Sequence, residues 1–416
     1  MKPSDLNTDF KKIIKCRICN SKKLQEILDL GIQPLANNLR SFEEQTLERK
    51  FPLILLRCSD CTSIQLSVNV NPKLMFQEYL WITGTSQSAR DHCNKLTDYI
   101  SEFSNEFSVI LEIGSNDGTL LKALKEKTNS KLHGVDPAQN IIESFQEDGI
   151  QNHNSFFDFN FASSFYSKFG AVDIVIARNV LSHVPDILEV MKGIDLILAP
   201  DGVCLIEFHE ASKILTEIHY DSIYHEHTFY HSIKSMTKAL SHVGLIPFDL
   251  IKSPISGGSF VLVSSRNDIR ASRRLNEAEQ IEKSLGVHDE KAWINFAKLT
   301  KRNLTSINKY LIENSNRKIR AFGASARSST LINAIGDNSK YLTAIADNNP
   351  LKWGKYSPGQ HLLIDSPKKI IEKDTEIVFI CPFNFETEIT TYLAKELDWH
   401  GEVVLPLPNQ IRKYLI

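Results

Sequence analysis

Short apolar runs that end on polar or charged residues, each followed by a glycine-containing turn and an amphipathic stretch, recur through the middle and end of the chain. "SVILEIGSNDGTLLKAL" (108–124) passes from a strand pattern through a turn into a helix pattern. "KLHGVDPA", "VDIVIARNVLSHV" and "GVCLIEFHE" supply further strands. "IPFDLIKSP" and "SFVLVSSR", joined by "ISGG", read as an antiparallel pair closing the sheet. The same alternation restarts at "RKIRAFGASARSSTLINAI" and continues into "YLTAIADNNP". Between the two series, residues 274–316 are rich in Glu, Lys and Leu with few breakers, which predicts helices. The pattern therefore predicts an α/β chain: a central Rossmann-like sheet over 76–273, a helical linker over 274–316, and a second Rossmann-like domain over 317–416.

A length of 416 residues agrees with more than one core. The formal net charge of -2 offers no basic field for a phosphate backbone, which argues against nucleic acid as a partner. The start "MKPSDLNTDFKKIIKC" lacks the apolar centre of a signal peptide, and no run of about 18 apolar residues occurs; a cytoplasmic protein without a membrane partner is expected. Four of the seven cysteines form two C-x-x-C pairs, "CRIC" (Cys16, Cys19) and "CSDC" (Cys58, Cys61), 38 residues apart. Two such knuckles complete a closed tetrahedral shell, so a structural Zn2+ in a small amino-terminal module over 10–75 is expected.

The first glycine turn carries Gly114, Ser115, Asn116, Asp117 and Gly118, with Glu112 just before it. Glycines allow close backbone approach and helix amides face the turn. Glu112 and Asp117 would repel a pyrophosphate, so a cationic or neutral ligand is expected, and S-adenosylmethionine meets that requirement. Asp136 ends the second strand 22 residues after Gly114, where a carboxylate can take ribose hydroxyls. Pro137 follows it, and Arg178, Asn179 and His183 end the third strand. The second glycine turn is different. It offers Ser325, Arg327, Ser328 and Ser329, donors suited to an anion, and its following strand ends on Asp347, 24 residues after Gly323. Residues 219–232, "HYDSIYHEHTFYHS", concentrate four histidines and three tyrosines; H-E-H is not the spacing of a zinc helix, although His227 and His231 stand four apart, so a metal site is the weakest of three readings beside acid/base work and a satisfied polar patch.

These segments together resemble the sugar C-methyltransferase family of deoxysugar biosynthesis. The likeness runs through "CRIC", "CSDC", "LGIQPLANNL", "EYLWITGTS", "LEIGSNDGTLL", "ARNVLSHVPD", "YDSIYHEHTFYHS", "FGASARSSTLIN" and "ADNNPLKWGKYSPGQHLLI". The resemblance implies methylation at C3 of a nucleotide-linked 4-keto-6-deoxyhexose carrying TDP or GDP, by an enzyme that is a monomer or weak dimer. It places the base on His227, with Tyr224, Glu226 and His183 beside it and a hydroxyl from Tyr79, where relatives carry paired tyrosines and this chain has Tyr79 and Trp81. His225, Ser325, Arg327, Asp347, Tyr356 and His361 fall in the segments that would meet the sugar nucleotide. Sugar O-methylation and a zinc-bearing binding protein with a vestigial methyltransferase domain are the competing readings.

Overall fold

The computed structural model describes residues 9–44, 48–75, 82–407 and 409–416. Tyr79 and Trp81 lie outside these described residues. The amino-terminal part contains β1 (Phe10–Lys12), β2 (Leu24–Pro34), β3 (Lys50–Cys58), β4 (Ile64–Leu66) and β5 (Val68–Val70). Strands β2 to β4 form an antiparallel meander, while β1 and β5 pair separately.

Next come α1 (Gln87–Ser101), β6 (Val109–Ile113), α2 (Thr119–Lys127), β7 (Lys131–Asp136), α3 (Gln139–Ser144), β8 (Ile150–Asn154), α4 (Phe159–Phe169), β9 (Val172–Arg178), α5 (Ile187–Ile197) and β10 (Leu198–His209). Strands β6, β9 and β10 read as continuous apolar runs because helices cover both faces of a parallel sheet. After α6 (Ala211–Glu217), β11 (Phe229–Tyr230) and α7 (Ile233–Ser241), the antiparallel pair β12 (Ile246–Ser253) and β13 (Ser259–Ser265) completes it. The seven strands run β12-β13-β10-β9-β6-β7-β8. Strand order reverses between β6 and β9, which opens a crevice at their carboxyl ends.

The expected helices are α8 (Arg273–Ser284) and α9 (Glu290–Glu313). The second sheet uses β14 (Ile319–Phe322), α10 (Ala326–Ile335), β15 (Ala344–Ala346), β16 (Leu363–Asp365), α11 (Pro367–Ile370), β17 (Ile377–Ile380), α12 (Glu386–Glu396), β18 (Glu402–Leu405) and β19 (Arg412–Leu415), in the order β16-β15-β14-β17-β18-β19. The architecture is α/β with two Rossmann-like sheets behind a four-cysteine module, as the periodicity predicts. Among the described residues no helix is long and apolar enough to cross a membrane.

The packing ignores the cuts that the sequence suggests. One apolar core joins Leu53, Leu55 and Leu66 of the meander to Trp293 and Phe296 of α9, to Leu331 of α10 and to Ile319 and Phe379 of the second sheet. Another joins Cys16, Ile18 and Cys58 to Leu181, Phe208 and Phe229. Strand β11 leaves the central domain altogether and pairs with β4, so the sheet of the amino-terminal module reads β11-β4-β3-β2.

A buried polar bridge fastens the three parts. Tyr220, fully buried, donates to Asn303 Oδ1 at 2.7 Å, and Asn303 Nδ2 donates to the Pro406 carbonyl at 3.0 Å. Tyr220→Phe strands the Asn303 oxygen in the core, and should lower the unfolding free energy in urea by about 1–3 kcal/mol. An unchanged midpoint would show that the bridge is energetically idle.

Candidate active site

The two knuckles are built alike. Asn20 N–H donates to the Cys16 carbonyl and Thr62 N–H to the Cys58 carbonyl, both at 2.9 Å; Cys16 N–H reaches the Ser21 carbonyl at 2.8 Å and Cys58 N–H the Ser63 carbonyl at 2.9 Å. Asn20 (φ 59°) and Thr62 (φ 64°) occupy the same left-handed position in each turn. Sulfurs of Cys16 and Cys61 stand 3.5 Å apart, as do those of Cys19 and Cys58, and all four ligand atoms lie within 4.8 Å of one another. Disulfides at about 2.05 Å are excluded by that spacing. A tetrahedral zinc with bonds of about 2.3 Å needs sulfurs spaced at nearly this separation, so the donor set fits the metal and leaves no ligand position open.

The cofactor turn lies at the crevice. Gly114 (φ +68°) and Gly118 (φ +67°) both require the left-handed region. Their close approach is to protein as well as to any ligand: a Cβ at Gly118 would stand 1.9 Å from the Phe145 ring, and one at Gly114 would stand 2.3 Å from Val180 Cγ2. Asp136 ends β7 inside this turn, accepting from Asn116 N–H at 3.0 Å and Ala138 N–H at 2.9 Å. Burial raises its pKa against those two bonds. Asn116 Oδ1 accepts from Thr83 N–H (2.9 Å) and Asp117 Oδ2 from Gly84 N–H (3.0 Å), so the segment before α1 lies across the turn. Pro137 begins the loop into α3.

Glu112 and Arg178, both expected at the cofactor, meet each other. They form a buried ion pair, Nε to Oε1 2.8 Å, and Arg178 Nη1 reaches Cys93 Sγ of α1 at 3.1 Å. Burial pushes Glu112 up to about 7, with Arg178 opposing. Asn179 adopts φ 55° and donates its N–H to the Glu207 carbonyl at 2.8 Å. The Glu207 side chain meets His92 Nε2 at 3.3 Å and accepts from Ser253 Oγ at 2.6 Å. Glu112 Oε2 and Ser115 Oγ are buried without a hydrogen-bond partner among the described residues. Orphaned acceptors beside an acidic glycine turn fit a cationic amino-acid and nucleoside ligand, which is the chemistry of S-adenosylmethionine.

Of residues 219–232, Tyr224 and His227 are the two that stay partly exposed. They face each other. Tyr224 OH and His227 Nε2 are 2.7 Å apart, with ring centroids at 4.1 Å. The His183 ring stands edge-on to His227, 4.8 Å away at 74°. Burial, then the neighbouring His183 and His209, hold His227 well below its ordinary value, with a bond to the Ser222 backbone opposing. Burial lowers His183 to about 4. Both imidazoles are therefore neutral at neutral pH.

Several expected partners stand elsewhere. Glu226 does not orient the imidazole: both its oxygens accept from Asn37 Nδ2 of the amino-terminal module, at 2.9 and 2.8 Å, and burial raises it to about 7. His225, expected on the substrate, packs edge-on against Phe51 with Nε2 3.2 Å from the Pro52 carbonyl. Residues 224–227 form a turn closed by His227 N–H on the Tyr224 carbonyl at 2.9 Å, which sends His225, Glu226 and His227 to three different neighbours. Ser325 is the cap of α10, accepting from Ser328 N–H at 3.1 Å. Asp347 accepts from Ala324 N–H at 2.7 Å and pairs with Lys352 at 3.1 Å. Tyr356 exchanges backbone bonds with Arg40, and His361 Nε2 meets Glu48 at 3.4 Å; both tie the second sheet to the module. Arg327 alone of that group enters the histidine cluster. It grips Asp221 with two bonds, 2.7 and 3.0 Å, over the Phe383 ring, which His219 also touches.

Asn37, Asp221, His209 and the His92–Glu207 pair have no local pattern that marks them. Asn37 sits in "LANNL" and His209 ends a strand, and those placements are the available signals.

An acidic glycine turn at the reversal of a doubly wound sheet, with a four-thiol metal module packed on it, defines a methyltransferase scaffold. Family models agree along the chain: "Putative zinc binding domain" matches residues 16–76, "Methyltransferase domain" 87–246 and "C-methyltransferase C-terminal domain" 254–408. Together the three matches run along most of the chain, in the order zinc module, methyltransferase domain and C-methyltransferase C-terminal domain. It is similar to the C-methyltransferase NovU of Streptomyces niveus, 27% identical over 404 residues, 95% of this chain and 96% of the relative. Solved structures overlap it more narrowly. Magnesium protoporphyrin IX methyltransferase of Synechocystis PCC 6803, with bound S-adenosylmethionine, is 15% identical over 43% of this chain and 80% of its own, with a TM-score of 0.33. The N-methyltransferase NodS of Bradyrhizobium japonicum WM9 is 14% identical over 41% of this chain and 92% of its own, with a TM-score of 0.32.

Protein prepared without chelator should carry about one zinc per chain, by the closed four-thiolate rule. Replacing Cys58 and Cys61 together by Ser should remove it; elemental analysis showing no zinc in the first case, or undiminished zinc in the second, contradicts the assignment.

Proposed function

We propose that the chain methylates C3 of a nucleotide-linked 4-keto-6-deoxyhexose, with His227 as the base. The observation that carries this reading is the Tyr224–His227 pair, the one opening in an otherwise buried run, with His183 beside it. Carbon methylation needs a carbon nucleophile, and a hydrogen next to a ketone is acidic enough for a neutral imidazole to remove it. The Ser222 backbone bond fixes one ring nitrogen as donor, which leaves Nε2 as the basic atom shared with Tyr224 OH. Tyr224 thereby aims the imidazole. His227 takes the C3 proton by way of Tyr224, whose oxygen accepts it as the hydroxyl proton passes to Nε2; charge moves to the C4 oxygen, and a neutral His183 donates to that oxygen as the charge develops. Bound S-adenosylmethionine would supply the electrophilic methyl group, carried on a sulfonium that the residues around Glu112, Gly114, Asp117, Gly118 and Asp136 would hold. His227 then returns its proton to water, which restores the base.

The proposed division is a zinc module over 10–75, a cofactor domain over 76–273, helices over 274–316 and a sugar-nucleotide domain over 317–416. Arg327 is the contribution of the last of these to the pocket: after burial, the largest cause, its charge also lowers His209, His219 and, behind the neighbouring His183 and His209, His227. The TDP or GDP group of the substrate belongs on that side. An O-methyltransferase would need a base for a hydroxyl and no enolate, so hydrogen exchange separates the two readings.

His227→Asn should lower kcat by about a thousandfold, within the range for loss of a general base, while S-adenosylhomocysteine binds unchanged. Wild-type enzyme should exchange the C3 hydrogen of a 4-keto substrate with deuterated solvent, and the variant should not; NMR that places the methyl on oxygen, with no exchange, overturns the proposal.

The pH profile follows from the same geometry. The folded pKa of His227 is depressed, so its neutral form persists as pH falls past 6.5 and is lost only well below it. The acidic limb of kcat should therefore lie below 6.5. A half-maximum at or above 6.5 would place a different group in the role of base.

A further inference from the structure

Arg17 stands between the two cysteines of the first knuckle, and its side chain turns away from solvent, 9% exposed. Its guanidinium donates to backbone carbonyls: Nη1 to Leu66 at 2.9 Å and Thr228 at 3.3 Å, Nη2 to Val68 at 3.1 Å, with Asn69 Oδ1 alongside. It also lies over the Phe229 ring, 5.3 Å from the centroid, and its own backbone N–H donates to Gln65 at 3.1 Å. A buried cation held by neutral carbonyls calls for a counter-charge nearby. Four thiolates around one divalent zinc carry a net negative charge, and Cys16 is the adjacent residue.

Thr228 is the residue that Arg17 reaches, and it follows His227 directly. Its carbonyl also accepts from Leu66 N–H at 3.0 Å. Its N–H donates to the Ser182 carbonyl at 2.6 Å, and its hydroxyl donates to the carbonyls of Ser182 and Val184, both at 3.0 Å. Ser182 and Val184 flank His183. Asn69 Nδ2, next to the guanidinium, holds the Pro185 carbonyl at 3.1 Å. One threonine thus couples the two imidazoles that stand 4.8 Å apart, and one arginine of the metal knuckle holds that threonine against β4.

We propose that Arg17 is a positioning residue for the reaction: the zinc knuckle fixes its backbone, and its guanidinium sets where Thr228, and with it His227 and His183, stand against the substrate. The inference rests on the proposed role of His227. Lysine keeps the charge but cannot form the fork that spans the Leu66, Val68 and Thr228 carbonyls. A displacement of about 1 Å at a reacting group costs on the order of a hundredfold in rate, so a metal module without an open coordination site can still govern turnover.

The test compares Arg17→Lys and Thr228→Val with wild type and with His227→Asn. Zinc content is measured by elemental analysis, S-adenosylhomocysteine affinity by calorimetry, kcat and KM with methyl-labelled cofactor, and C3 hydrogen exchange by NMR. Arg17→Lys should lower kcat and exchange together by about 10- to 100-fold with KM, zinc and cofactor affinity unchanged. Added to His227→Asn, it should lower the residual rate by clearly less than it lowers the wild-type rate, because the placement of an absent imidazole no longer matters and only that of His183 remains. Thr228→Val should give the same pattern, which keeps the test open if the arginine variant folds poorly. Wild-type kcat and exchange in Arg17→Lys overturn the inference. Parallel loss of zinc or cofactor affinity, or a full multiplicative loss in the double variant, also overturns it by showing a merely structural arginine. Normal exchange in His227→Asn would instead sink the base assignment.

Discussion

Phe229 and Tyr230 pair with Gln65 and Ile64, and this two-residue ladder ties the histidine segment to a different part of the chain from the one that encodes it. Backbone groups buried at such a junction must find partners, and here they find them in β4 and Thr228 rather than in the central sheet. Everything around the candidate base inherits its position from that choice. A turn at 224–227, closed by His227 N–H on the Tyr224 carbonyl, separates the three side chains, and the ladder that follows fixes where that turn stands. Asn37 then receives Glu226, Phe51 receives His225, and His227 remains for the opening. A metal is an economical anchor for this sheet. The amino-terminal meander is small, and two thiolate knuckles hold one end of it where a core of that size would leave it loose.

Burial sets the chemistry as much as placement does. Imidazoles removed from water lose their protons first, and His183, His225 and His231 are each pushed down to about 4 by burial. A cluster of charged histidines would repel itself and attract water, whereas a cluster of neutral ones can sit beside a carbon acid and accept or donate a proton. The same burial raises Glu112 and Glu226, both to about 7. Carboxylates survive there because each has a specific partner: Arg178 for Glu112 and the Asn37 amide for Glu226. Removing a partner would leave a buried charge unpaired, which costs more than the bond itself.

The parts of this design written in local periodicity were legible. Apolar runs with glycine turns show both sheets, and matched C-x-x-C spacing shows the four thiols that converge in space. Tyr224 and His227 were legible as residues of a dense histidine segment, though chemistry alone could not choose between its histidines. The missed features are long-range. Glu226 meets an amide 189 residues earlier, Asp221 meets an arginine 106 residues later, and no periodicity relates such positions. Tyr356 and His361 are expected at the substrate from the resemblance of their segment, and the backbone of the one meets Arg40 while the ring of the other meets Glu48. Residue type identifies what a side chain can do, and only packing decides whether a ligand or a neighbouring module takes it up.

The two glycine turns make the same point from within one chain. Asp136 receives the Asn116 amide and Asp347 receives the Ala324 amide, so each acid that ends a strand braces the turn of the strand before it. An acid at that place is therefore explained by backbone needs before any ribose is considered. What distinguishes the halves is the charge set around the brace. Asp136 has Glu112 and Asp117 near it, while Asp347 has Lys352 on its carboxylate and the Ser325 cap on the neighbouring helix. The first turn keeps a net negative environment that a sulfonium and an ammonium can neutralise; the second has already neutralised its acid. Cofactor selection by the central sheet follows from that asymmetry, and the second half reaches the histidine segment through Arg327, which crosses the boundary to Asp221 rather than staying in its own turn.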